Sequence, residues 1–295
     1  MPKNASLNAH NYIRSFIIIG FSLYIAYLFK QDTLQYYLAP RMMVYLKWAC
    51  VLLFLIGGSQ LFLVFRSRRA MISDCDCEHL PSRSTFVNIV SYGLLLIPLG
   101  FGFLLPDTAM NSALAAKRGM ILNISSAISP INKPLNAAVA ANIPIDIPPP
   151  LSQSQSDYAE LASKLQEKAM IQINPEIYLE ELTAFNLFPD QFVGKEIAVT
   201  GFIYREPVMK DNEMIVARFA LQCCSADATP YGIMVEYPHA ASYAKDTWVT
   251  ITGTIQKTTY KDTPIIKIDA TKIKKIEAPK SQYVYPNLEF LDEDL

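Results

Sequence analysis

The chain has 295 residues, more than one typical domain, and 51% of them are hydrophobic. A formal net charge of −1 conceals an asymmetry: residues 1–156 hold 12 Lys+Arg against 6 Asp+Glu, and residues 157–295 hold 14 against 21. The apolar first third argues against a wholly water-soluble protein, and the acidic second half repels phosphate backbones, so no nucleic-acid partner is expected.

Three stretches reach the length of about 20 apolar residues that a bilayer crossing needs. The first covers residues 13–29, with Arg14 at its edge and Lys30 closing it. It lacks a small-residue cleavage site and reads as an uncleaved anchor rather than a signal peptide. The second covers residues 44–65, where Lys47 near the start can snorkel to the surface. The third covers residues 86–105 and has no charge; its Pro98 is of a kind membrane helices tolerate. The loop after the second stretch carries Arg66, Arg68, Arg69 and Arg83, whereas the loop before it offers only Lys30 and Arg41. The positive-inside rule then puts the N-terminus and the second loop in the cytoplasm and everything after Pro106 outside it. The expected transmembrane domain is residues 1–107.

Residues 108–156 read as a connector, ending in the extended IPIDIPPP run, with a short helix continuing from the third span through Ala116. Residues 157–295 form the expected extracytoplasmic domain. Its start is helical: Tyr158, Leu161, Leu165 and Ala169 recur at three and four, and Pro175 opens a second helix with Ile177, Leu179 and Leu182. Five alternating segments follow as strands, at 195–205, 214–222, 232–236, 247–256 and 264–276. In the second, Ile215, Ala217, Phe219 and Leu221 are expected to face inward. An Ala-rich segment at 238–245 has room for one or two helical turns between the third and fourth strands. The expected fold class is a membrane α-helical part with three spans plus a soluble α+β domain containing an OB-like five-stranded β-barrel; another small barrel or a sandwich is the alternative. Gly201 and Gly253 suit the bends of such a small barrel.

Candidate chemistry gathers at cysteines. Cys50 lies inside the second span and reads as a small apolar residue. Cys223 and Cys224 end the second strand, with Asp227 one turn later. Alternation puts Cys224 on the outward face with Arg218, whose guanidinium would lower a thiol pKa. A soft-metal site, a strained vicinal disulfide and plain packing all fit this pair, and His239 is a candidate for completing a metal set. In the cytoplasmic loop, Cys75, Cys77 and His79 alternate with Asp74, Asp76 and Glu78. Two thiolates and an imidazole on one side of an extended chain suit zinc or another soft metal ion, and a polar loop with incidental cysteines is the bland alternative. No catalytic constellation is present in the pattern, so the protein is not expected to be an enzyme.

Several local signatures carry a resemblance. They are the third span's exit IPLGFGFLLP at 97–106 followed by SALAAKRG at 112–119; Phe192-Val193-Gly194-Lys195 leading into Thr200-Gly201-Phe202-Ile203-Tyr204; Arg218-Phe219 followed by Cys223-Cys224-Ser225-Ala226-Asp227; Trp248-Val249 with Thr252-Gly253; and the closing Tyr283-Val284-Tyr285-Pro286. In these the chain resembles the YcgQ-like family of bacterial membrane proteins. The resemblance implies a multi-pass protein of the bacterial cell membrane that serves as accessory subunit to a polytopic membrane permease, of a superfamily that includes soft-metalloid exporters. Many relatives have a histidine-rich loop after the second span, where this chain has only His79 beside two cysteines. The function expected is therefore an accessory permease subunit whose outer β domain binds substrate or a soft metal through Cys223, Cys224 and Asp227. A stand-alone membrane-anchored metal sensor or metallochaperone is the alternative, and an extracytoplasmic thiol oxidoreductase ranks behind it. The bilayer and the permease are the expected partners.

Overall fold

The computed structural model describes residues 3–67, 84–123 and 155–292. The chain divides into two units, Met1–Thr108 and Ala109–Leu295.

The first unit is built of long helices: α1 (Lys3–Lys30), α2 (Pro40–Ser67) and α3 (Thr85–Leu104). All three are long and apolar enough to cross a membrane, over His10–Lys30, Pro40–Arg66 and Phe86–Leu104. The 19 residues of the last correspond to roughly 28 Å of helix, close to the thickness of a hydrocarbon core. Pro40 opens α2, where its missing N–H is not needed. Apolar side chains cannot drive association between helices surrounded by lipid, so small residues and buried polar bonds set the contacts. Buried Ser22 of α1 donates through Oγ to the Cys50 carbonyl of α2 at 2.9 Å, and Cys50 Sγ donates back to the Ser22 carbonyl at 3.3 Å. Cys50 is thus part of the helix contact. Between α1 and α3, Tyr24 donates to the Gly102 carbonyl at 3.2 Å, and His10 Nδ1 lies 2.9 Å from the Tyr92 hydroxyl. Large side chains elsewhere, such as Trp48, Phe62 and Leu94, are exposed, as lipid-facing residues would be.

The second unit begins with α4 (Ser112–Arg118), which is not a continuation of α3, because residues 105–111 carry no helix. Asn111 caps α4, and the Asp246 carboxylate accepts from the Ser112 N–H at 2.6 Å and the Ser112 hydroxyl at 2.8 Å. After α4, Ile121 bridges to Tyr231, so this segment belongs to the sheet's surroundings. Next come α5 (Gln155–Glu167), β1 (Met170–Gln172), α6 (Tyr178–Leu187) and α7 (Pro189–Phe192). Pro175 does not open α6 directly; a turn at 175–177 precedes it. The remaining strands are β2 (Glu196–Tyr204), β3 (Glu213–Ala220), β4 (Thr229–Glu236), β5 (Trp248–Tyr260), β6 (Thr263–Lys275) and β7 (Tyr283–Val284).

These seven strands form one mixed sheet, of which five close into a ring: β2 pairs β3, β3 pairs β4, β4 pairs β6 in parallel, β6 pairs β5, and β5 returns to β2. Gly201 makes the tight part of this ring possible, since a Cβ there would sit 2.5 Å from the Ala217 carbonyl oxygen. Opposite Thr252 and Gly253 of β5, Thr271 is an extra residue in β6, a bulge that bends that strand. Short β1 and β7 add in parallel to β2 and β3. The five ring strands coincide with the five expected segments, though β4 and β5 are longer, and the Ala-rich segment forms only one 3-10 turn, Ala240–Ser242.

The core joins the ring interior to the helices. Ile197, Val199 and Ile203 of β2, and Val249, Ile251 and Ile255 of β5, meet Leu161, Leu165, Phe185 and Phe192. The expected inward set of β3 is corrected: Met214, Val216 and Ala220 enter this core, not Ile215, Ala217 and Phe219. Both sets are buried, with Phe219 stacked on Phe202, so alternating hydrophobicity could not fix the phase of a strand covered on both faces.

Candidate functional site

Eight residues join β3 to β4, and they hold the cysteine pair. Leu221 is tied to β7 by its N–H on the Val284 carbonyl at 3.0 Å, and the chain then turns through a single 3-10 turn, Ser225–Asp227. Asp227 organises this loop. Its Oδ1 accepts from the Gln222 N–H at 2.9 Å, while Oδ2 accepts from Cys223 at 2.7 Å and Cys224 at 3.1 Å. In return the Asp227 N–H donates to the Cys224 carbonyl at 3.1 Å, which closes the turn. From α4, Arg118 donates to the carbonyls of Ala226, at 3.0 Å, and Ala228. Thr229 Oγ1 donates to the Asp227 carbonyl at 3.1 Å.

The result is a pair of half-buried, unbridged thiols whose sulfurs lie 3.6 Å apart. Ligand atoms of Cys223, Cys224 and Asp227 all lie within 4.8 Å of one another. Two sulfurs bound at about 2.3 Å to one tetrahedral zinc would sit roughly 3.8 Å apart, so the spacing suits a shared thiophilic cation. The carboxylate has less to offer: three N–H groups already occupy its two oxygens, leaving about one of four lone-pair positions. Asp227 is therefore first an organiser and only then a candidate ligand.

Electrostatics corrects the expectation for the thiols. Arg218 is not on an outward face beside Cys224; it is buried, donates to the Ser281 carbonyl and stacks 5.6 Å from the Trp248 ring. Asp227 dominates instead. Hydrogen bonding to its carboxylate, then to Cys224, pushes the Cys223 thiol up to about 12, because ionising it would set two negative charges side by side. For Asp227, burial alone would raise the carboxyl pKa, but the bonds from the Cys223 thiol and three backbone N–H groups outweigh it and hold the pKa below the usual range. Unloaded, the loop holds a Cys223 thiol that keeps its proton beside a carboxylate. A cation that binds here must displace thiol protons, which favours metals with high sulfur affinity.

His239 is not drawn into this group; it packs edge-on against Tyr237. Cys75, Cys77 and His79 lie outside the described residues. One contributor, Arg118, and one role, that of Asp227 as organiser, escaped sequence reasoning. Arg118 clamps the loop from more than 100 residues away, which no local pattern signals, and Asp227 acts through backbone N–H groups that its S-x-D setting announces only as a turn.

Comparison with known proteins fits this two-part organisation. The DUF1980 N-terminal domain matches residues 13–121 and the DUF1980 C-terminal domain residues 150–286. The UPF0703 protein YcgQ of Bacillus subtilis is 26% identical over 66% of this chain and 67% of its own. A Streptococcus mutans protein, provisionally named a two-component membrane permease complex subunit, is 24% identical over 65% of this chain and 72% of its own. Among solved structures, a small single-stranded DNA-binding protein from Streptomyces coelicolor covers 28% of this chain and 94% of its own at 14% identity and a TM-score of 0.19, too low to bear on the argument. With both domains matched in order and three helices fit to cross a bilayer, the chain is a membrane protein and belongs to the YcgQ-like, DUF1980 family.

Proposed function

We propose that this protein is a non-enzymatic accessory subunit of a membrane permease complex. The observation that carries the reading is its similarity, across most of both chains, to a relative named as such a subunit. Three helices enclose no conduction pathway by themselves, whereas their exposed apolar faces suit lipid and a larger polytopic partner. Purification of the full chain from its native membranes in mild detergent is expected to bring down a polytopic permease in fixed ratio. Recovery of the chain alone, under conditions that keep other membrane complexes intact, would count against this reading. It would favour the stand-alone metal sensor or metallochaperone.

The loop arginines support a cytoplasmic N-terminus and an extracytoplasmic second unit. The ring supports an OB-type reading of that unit: five strands, antiparallel throughout except for one parallel closure between the third and the fifth. In this reading the Cys223–Cys224 pair meets a soft metal ion, zinc or a softer relative, outside the cytoplasm, either as substrate or as its gatekeeper. The 3.6 Å sulfur separation is what supports the metal. One experiment addresses both points. A membrane-impermeant maleimide added to right-side-out vesicles is expected to label Cys223 and Cys224, and zinc added beforehand is expected to slow that labelling at least several-fold. Cys223→Ser with Cys224→Ser removes the signal. Labelling only after permeabilisation overturns the orientation, and labelling indifferent to zinc, copper(I) and arsenite overturns the metal site.

A further inference from the structure

A second, separate feature of the C-terminal unit is a cavity of about 240 Å³ whose lining includes Ile173, Tyr178, Thr200, Arg218, Thr250 and Ser281. Its mouth has exposed residues, Gln172 and Pro175 among them, so solutes can reach it. A water occupies about 30 Å³ of the liquid, so the space is far larger than one bridging water needs.

Two polar groups in its lining are buried and unsatisfied. Arg218, 2% exposed, uses one nitrogen on the Ser281 carbonyl and lays its guanidinium over Trp248, yet its Nε has no hydrogen-bond partner among the described residues. No carboxylate among the described residues lies within ion-pair distance of it. Tyr178, 1% exposed, has a buried hydroxyl that also lacks a partner among the described residues. Burial pushes the tyrosine pKa up while the Arg218 charge opposes the rise, so the two groups feel each other. A buried guanidinium without a counter-ion is costly, as is an unpaired buried hydroxyl, and folds retain such groups where a ligand satisfies them. Both residues line one cavity, and each unpaired group has a proton to donate once a small side-chain shift opens it to that space. They call for an acceptor carrying negative charge.

The rest of the lining narrows the class. Ile173, Pro175, Ala198 and Pro279 offer apolar wall, and the Thr200 and Thr250 hydroxyls already bond each other at 3.0 Å. A planar guanidinium matches a planar carboxylate, and the apolar wall matches a short hydrocarbon body. We propose that this cavity binds a small carboxylate-bearing solute, its head on Arg218 and Tyr178 and its apolar body against Ile173 and the two prolines. The site stands apart from the thiol loop and does not depend on what that loop binds.

Trp248 supplies the readout. In the full-length chain carrying Trp48→Phe, which leaves Trp248 as the remaining tryptophan, propionate is expected to change the emission saturably, with a dissociation constant on the order of 1 mM. Propionamide, the same shape without the charge, is expected to give no response. Tyr178→Phe keeps the ring and removes one donor, and is expected to weaken propionate binding by about ten-fold or more, as fits one hydrogen bond to a charged group. Arg218→Lys keeps the charge without the fork and is expected to weaken it more. Equal responses to propionate and propionamide, a response to inorganic phosphate but not propionate, or affinity unchanged in Tyr178→Phe each overturns the proposal.

Discussion

Replacing Asp227 with alanine is expected to destabilise the C-terminal unit by about 2–4 kcal/mol and to remove any protection of the thiols by metal. One carboxylate holds three backbone N–H groups of consecutive residues, Gln222 to Cys224, and is itself half-buried. Without it those three N–H groups lose the acceptor they share. Bonds to an ionised acceptor are the stronger kind, and half-burial trims the total to the quoted range. Asp227→Asn separates geometry from charge. Its carbonyl can accept but carries no charge, so about half the loss is expected, together with a faster reaction of Cys223 with iodoacetamide at neutral pH. The sign follows from the thiol's environment: the carboxylate raises the Cys223 pKa, so removing its charge increases the thiolate fraction. Urea unfolding and amide exchange of the full chain measure both effects. Amides of Cys223 and Cys224 as protected in Asp227→Ala as in the parent would show that the loop is organised by something else.

What could be read from the residues follows from how each element meets solvent. The long helices are legible because lipid demands continuous apolar runs. β2 and β5 keep a strict inward set, Ile197, Val199 and Ile203 or Val249, Ile251 and Ile255, against less buried neighbours over part of their length, so their phase is visible. β3 is apolar on both faces, and its phase was lost with it. That one slip misplaced Arg218, turning a buried cation into a supposed neighbour of Cys224. β1 and β7 span three and two residues, too short for any period to register. At the site, the residue types Cys-Cys-x-x-Asp are legible, but their division of labour is not. It depends on the tertiary clamp from Arg118 and on which N–H groups the loop turns toward Asp227. Glu180 and Glu181 show the same limit from the other side. Two adjacent acids in a helix read as a solvated face, yet every residue from Tyr178 to Phe185 is buried, because α6 is enclosed by the rest of the C-terminal unit.

That pair predicts a marked pH dependence. Burial pushes the Glu180 carboxyl up to about 7 and the Glu181 carboxyl up to about 8, from an ordinary value of 4.5. The Asn287 N–H, at 2.9 Å from Glu180, and the Asn174 N–H, at 3.1 Å from Glu181, oppose the rise but do not cancel it, and neither does Lys168 near Glu181. Each side chain keeps one buried oxygen without a partner among the described residues, which is where a proton would sit. For an acid whose folded pKa is raised, the folded state keeps a proton that the unfolded state releases. The contribution is full below about pH 4.5 and is lost as the pH climbs toward 7 and 8. Full linkage is about 1.4 kcal/mol per pH unit and group. The helix N-terminus, where both residues lie, favours the ionised form and reduces this, so a loss on the order of 3 kcal/mol between pH 5 and pH 8 is expected. Glu181→Gln keeps the shape and the Asn174 acceptor without the charge. It is expected to be near neutral at pH 5 and to stabilise the unit by about 1–3 kcal/mol at pH 8. Urea titrations of the parent and variant at the two pH values decide the matter. A parent equally stable at both, or a variant that gains nothing at pH 8, would mean that α6 holds its acids ionised by groups other than those that now face them.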